Sequence, residues 1–126
     1  MTMRRWVSVL TLALPMALFV GCGTEGDDDT PSGDEPVVDC TGTVPTYSEV
    51  TMWPACTSCH SSALSGGDRG GAPPGINYDT YAGAKANAAL GVSEVYEGAM
   101  PYPDGSGVTD EQKTAFYTWA KCGTPE

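Results

Sequence analysis

One histidine, His60, serves the whole chain of 126 residues. That excludes a site built on two histidines of this chain, and it leaves no imidazole for acid–base work once His60 is engaged. Positive charge is also scarce: six Lys and Arg stand against sixteen Asp and Glu, giving a net charge of −10. A surface of that sign repels phosphate backbones, so nucleic acid is excluded as a ligand. Nothing alternates apolar and polar residues over the length of a strand, so the signature of a half-buried sheet is missing. The one long apolar run, Trp6 to Val20, is too short for a comfortable transmembrane helix.

What the chain does have is Cys56-Thr57-Ser58-Cys59-His60. C-x-x-C-H is the signature of covalent c-type haem attachment. Two thiols three positions apart on one helical turn can form thioethers to the two vinyl groups of one porphyrin. The imidazole that follows is then held beneath the iron as its proximal ligand. Zinc would need four N/S ligands, usually as two separated pairs. Only Cys40 and Cys122 could complete that set, and neither sits in a C-x-x-C knuckle. A thioredoxin-like dithiol belongs at a helix start within a βαβ pattern, which is absent. The motif therefore predicts one covalent haem c on Cys56 and Cys59, with His60 on the iron.

Haem of this kind is attached outside the cytoplasm, and the N-terminus reads as an export signal. Met1 to Arg5 carries Arg4 and Arg5 ahead of the apolar run. Phe19-Val20-Gly21-Cys22 resembles a bacterial lipobox, with Phe19 in place of the usual Leu. Cleavage there makes residues 1–21 a lipoprotein signal peptide and puts lipid on Cys22, and two or more acyl chains make a stable anchor. The alternative is an ordinary secretory signal that leaves Cys22 a stray thiol. The paired arginines fit a twin-arginine signal poorly. Residues 22–39, with the run Asp27-Asp28-Asp29, are almost devoid of apolar side chains and read as a disordered acidic tether. The expected location is a bacterial membrane facing the periplasm; Gly23, where enteric inner-membrane lipoproteins carry Asp, points to the outer membrane.

Residues 40–126 form the expected domain. Cys40 and Cys122 remain after lipid and haem are assigned, and an even remainder in an exported chain predicts a disulfide between them. Thr46-Tyr47-Ser48-Glu49 has the form of a capping box, so a helix is expected from about Tyr47. Pro54 should kink or restart it, leaving Ala55 to Ser61 as the haem-binding turn. The Gly-rich stretch Ser65 to Gly75, with Pro73 and Pro74, is loop. Tyr78 to Leu90 reads as a helix stopped by Gly91, and Val92 to Gly98 as a further short turn or helix. Thr109-Asp110-Glu111-Gln112 opens a last helix to about Lys121, with Phe116, Trp119 and Ala120 on one apolar stripe. The class is all-α.

A sixth iron ligand has few sources. Met1, Met3 and Met16 leave with the signal, and Met52 lies too near Cys56 to reach the opposite haem face. Met100 lies forty residues past His60 and precedes Pro101, which fixes the local backbone. Its other reading is a methionine filling an apolar gap.

A capped first helix, C-x-x-C-H, a Gly/Pro-rich loop, a middle helix, Gly98-Ala99-Met100-Pro101 and a last helix with Trp119 together resemble class I cytochrome c, over about Thr46 to Gly123. The leader, the acidic tether and the ending Trp-x-x-Cys-Gly resemble small periplasmic cytochromes. The resemblance implies three to four helices wrapped around one haem, with the first and last crossing so that Tyr47 or Val50 meets Phe116 and Trp119. It implies that His60 and Met100 are the axial ligands, and that the carbonyl of Pro73 or Pro74 accepts the proximal imidazole hydrogen bond. The implied activity is one-electron transfer, not catalysis, with weak and transient redox partners and no small-molecule substrate. The alternatives are a five-coordinate haem enzyme or a gas or redox sensor, if Met100 does not ligate, and a haem subunit of a larger membrane oxidoreductase. Peroxidase-like chemistry wants a distal His or Arg, and Arg69 is the one arginine beyond the leader.

Overall fold

The computed structural model describes residues 35–126. The expected signal peptide over 1–21, the expected lipid site Cys22 and residues 22–34 of the expected tether lie outside the described residues. Those described are helical, with no strand among them. The helices are α1 (Trp53–Thr57), α2 (Tyr81–Ala86), α3 (Ala88–Tyr96) and α4 (Asp110–Lys121), joined by single 3-10 turns at Tyr47–Glu49 and Gly66–Arg69.

The first capping box forms but opens only one turn. The Glu49 carboxylate reaches back to accept from Thr46 N–H at 2.7 Å, and the turn ends at Val50 in extended backbone. α1 then starts afresh with Pro54 in its first turn, where a missing N–H breaks no helical bond. One long kinked helix is thus replaced by a turn and a short helix. The expected helix from Tyr78 to Leu90 also divides. Thr80 accepts from Gly83 N–H at 3.2 Å to start α2, and Asn87 separates α2 from α3. Gly91 does not stop a helix but sits buried inside α3. A Cβ there would lie 2.8 Å from Tyr78 Oη and 2.9 Å from Phe116 Cζ, so only glycine lets α3 close on α4. The second capping box opens α4 as expected: Gln112 N–H donates to Thr109 Oγ1, and Thr109 N–H to Gln112 Oε1 at 2.9 Å.

Trp53 centres the core. Its ring lies 5.1 Å from Tyr47, 5.3 Å from Trp119, 5.6 Å from Phe116 and 6.0 Å from Tyr78. Such contacts contribute roughly 0.5–1.5 kcal/mol each beyond area burial. Trp119 is fully buried and Phe116 nearly so. Tyr47 also meets Trp119 directly at 6.2 Å, a contact between first and last segments of the kind the resemblance implied, with Trp53 touching both rings. Polar edges are satisfied locally: Trp53 Nε1–H donates to Tyr47 O at 2.7 Å and Trp119 Nε1–H to Pro125 O at 2.8 Å. A Cys40–Cys122 disulfide, with Cα atoms 5.4 Å apart, fastens the two ends of the domain. Beside it, at the end of the tether, Glu35 pairs with Lys121 at 2.9 Å.

Candidate functional site

Cys56, Cys59, His60 and Met100 all line one cleft of about 390 Å³. That volume falls in the usual range for small-molecule and cofactor sites. Its wall is largely apolar, with Met52, Trp53, Ile76, Leu90, Val95 and Phe116, and Glu94 supplies a carboxylate. α1 carries Cys56; the turn after it carries Cys59 and His60, held by Cys59 N–H and His60 N–H donating to Cys56 O at 3.2 and 2.9 Å. Met100 enters from the loop after α3, its N–H donating to Glu94 O at 3.0 Å. Met52 is fully buried in the core and borders the same cleft.

His60 is buried, edge-on to Tyr78 with ring centres 5.5 Å apart. Its Nδ1 stands 3.0 Å from Ile76 O. A carbonyl only accepts, so Nδ1 carries a proton, and in the neutral tautomer the lone pair is on Nε2. This corrects the expectation for Pro73 and Pro74. The Pro73 carbonyl accepts from Arg69 at 2.9 Å and from Ile76 N–H at 3.3 Å, and it is the carbonyl two residues beyond Pro74 that meets the imidazole. The Gly-rich loop turns through Pro73 and Ile76 before rejoining His60, and Tyr78 N–H donates to His60 O at 2.9 Å.

Both motif thiols are free. Burial pushes the Cys56 thiol up to about 11, so it stays protonated at neutral pH. A redox-active C-x-x-C needs a depressed thiol, which argues against the dithiol reading. Burial also raises the Tyr78 hydroxyl to about 12, keeping it a donor to Asn87 O at 3.2 Å. Cys40 and Cys122 are spent on each other, and among the described residues no three His, Cys, Asp or Glu gather to hold a metal ion. The available chemistry is two free thiols, one imidazole and one thioether lining an apolar cleft.

Close by, Asp79 accepts from Ser62 Oγ at 2.6 Å, Ser62 N–H at 3.0 Å and Ser61 Oγ at 3.1 Å, tying down the segment after His60. Gly70, at φ +58°, passes so near that a Cβ would lie 3.1 Å from Cys59 Sγ. Sequence reasoning missed Ile76, Asp79 and the role of Arg69. The last had a signal: a lone arginine in a Gly-rich loop beside the motif. No family model matches the chain, and no curated protein or solved structure matches it.

Proposed function

We propose that the protein is a membrane-tethered, periplasmic one-electron carrier of the cytochrome c kind. The observation that carries this reading is the convergence of Cys56, Cys59, His60 and Met100 on one apolar cleft, though Met100 is forty residues away in sequence. The residues suit a haem. Two free thiols stand where two thioethers are needed, and the glycine at position 70 keeps the space beside Cys59 clear of a side chain.

When bound, haem supplies an iron that gains and loses one electron, with no substrate bound to it. The chain's own residues do the rest. Cys56 and Cys59 fix the group covalently. The Ile76 carbonyl holds Nδ1 of His60 as the donor, which leaves Nε2 as the nitrogen that would meet the iron. Met100 would supply a thioether to the iron, and such a ligand favours the reduced state. Met52, Trp53, Val95 and Phe116 keep water away from the centre. With its one imidazole tied to Ile76 and engaged by the iron, the chain would offer the site no free histidine for acid–base catalysis.

The acidic balance favours a basic or apolar docking face on the redox donor and acceptor, in weak, salt-sensitive encounters. The lipid on Cys22 would keep the carrier at a membrane, the outer one favoured. The test is mass spectrometry of the denatured chain after expression with a c-type haem maturation system. The expected result is one haem retained covalently and lost in Cys56→Ser/Cys59→Ser. A chain of unmodified mass would overturn the proposal.

A further inference from the structure

Arg69 is buried, 5% exposed, in the loop behind His60. Its Nε–H donates to Ala72 O at 3.1 Å. Nη1 donates to Ser61 O at 2.6 Å, to Asn77 Oδ1 at 3.1 Å and to Leu64 O at 3.5 Å. Nη2 donates to Pro73 O at 2.9 Å and Ile76 O at 3.0 Å. All five N–H groups are therefore used within the loop, and none is left for an anionic ligand. Every acceptor is neutral, and among the described residues no carboxylate lies within 4.0 Å of the guanidinium. A buried cation without a counter-ion is costly, and such a group is rarely kept for packing alone.

One of those acceptors is shared. Ile76 O takes a hydrogen bond from Arg69 Nη2 and another from His60 Nδ1, each at 3.0 Å. We infer that Arg69 is a positioning residue that sets the electron-donating strength of His60 and biases the site toward its reduced state. The inference rests on the reading that His60 Nε2 ligates haem iron.

Two effects act in the same direction. A strong acceptor on Nδ1–H makes an imidazole a better donor to metal. A carbonyl already engaged by a cation is a weaker acceptor, because the charge-assisted bond draws on the same oxygen. Arg69 therefore lowers the basicity of His60, which disfavours the oxidised metal. Its uncompensated charge also opposes a further positive charge nearby. A unit charge acting over ~10 Å at an effective dielectric of ~20 shifts such an equilibrium on the order of tenfold.

The test compares midpoint potentials of the matured protein, Arg69→Gln, Arg69→Lys and Asn77→Asp, each checked by mass for covalent haem. Asn77→Asp keeps the shape and the hydrogen bond to Arg69 Nη1 but gives the guanidinium a counter-charge. The expected result is a downward shift in Arg69→Gln of about tenfold in the reduced-to-oxidised ratio, about 59 mV for one electron. Arg69→Lys recovers part of it, and Asn77→Asp shifts the same way with the fold intact. If Arg69→Gln does not accumulate, Arg69→Lys decides, since it keeps the positive charge but cannot keep the five-bond fork that reaches Ile76 O, and a purely structural arginine would leave its potential at the wild-type value. Haem attached at unchanged potential in these variants overturns the inference while leaving the carrier reading standing. Absence of covalent haem from the unaltered chain overturns both.

Discussion

At the scale of single residues, the site depends on which lone pairs are free. His60 has one nitrogen committed to Ile76 O, and that asymmetry suits the other to the ligand role proposed for it. Met100 has no comparable anchor of its own; its place in the cleft comes from the loop around it, through the backbone bond to Glu94 O. Met100→Ala should leave haem attached but open the sixth position, lower the reduction potential and let carbon monoxide bind. A carbon monoxide difference spectrum checks this, and a spectrum unchanged from the wild type removes Met100 as a ligand. The sequence singled out Cys56, Cys59, His60 and Met100, which line one cleft, because the chemistry expected of them is carried by residue type and spacing. The partner of the imidazole was not legible. It is a backbone carbonyl, which any residue supplies, so the side chains of Pro73, Pro74 and Ile76 carry no mark of the choice.

At the scale of elements, the α4 boundaries followed from the sequence, because Thr109 and Gln112 close a reciprocal cap and Gly123 follows the last turn. The earlier elements did not. The same capping pattern at Thr46 opens one turn, because Val50 leaves helical backbone and Pro54 suits a new first turn better than a helix interior. Gly91 read as a stop since glycine is a poor helix former, but tertiary packing overrides propensity where two helices must touch. Gly91→Ala should therefore destabilise the domain by roughly 1–3 kcal/mol through overpacking against Tyr78 and Phe116. Denaturant unfolding of the matured protein measures this; equal or greater stability would contradict the close α3–α4 contact. The Asp79 loop gives a pH dependence. Hydrogen bonds from Ser62 and Ser61 hold this carboxylate below its usual range. The unfolded chain binds the proton at a higher pH than the folded one. The stabilisation is thus complete above about pH 4 and lost as the pH falls through the folded value. Asp79→Asn should lower stability at neutral pH and flatten the acid limb of the stability–pH curve; a limb of unchanged slope would contradict the assignment.

At the scale of the whole molecule, a domain of fewer than ninety residues has little core to spare, and two covalent devices, one present and one proposed, would close it. Cys40–Cys122 ties the ends, and Cys40→Ser/Cys122→Ser should cost about 2–5 kcal/mol, read as a lower denaturation midpoint. An unchanged midpoint would mean that the Glu35–Lys121 pair and the Tyr47–Trp119 contact suffice to hold the termini. The other device is the proposed haem, whose apolar faces would complete the cluster around Trp53 and Phe116. The all-α class, the terminal disulfide and the burial of Trp119 were readable from composition, cysteine parity and helical periodicity. The path of the Gly-rich loop was not, because it is set by one buried guanidinium bonding backbone oxygens from Ser61 to Ile76. The most direct test of the carrier reading is the visible spectrum of the matured protein, oxidised and reduced, with and without carbon monoxide. The account predicts a six-coordinate low-spin haem, a sulfur-to-iron band in the far red when oxidised, and no change with carbon monoxide. A high-spin spectrum that shifts with carbon monoxide would contradict it and make the iron an open, reactive site.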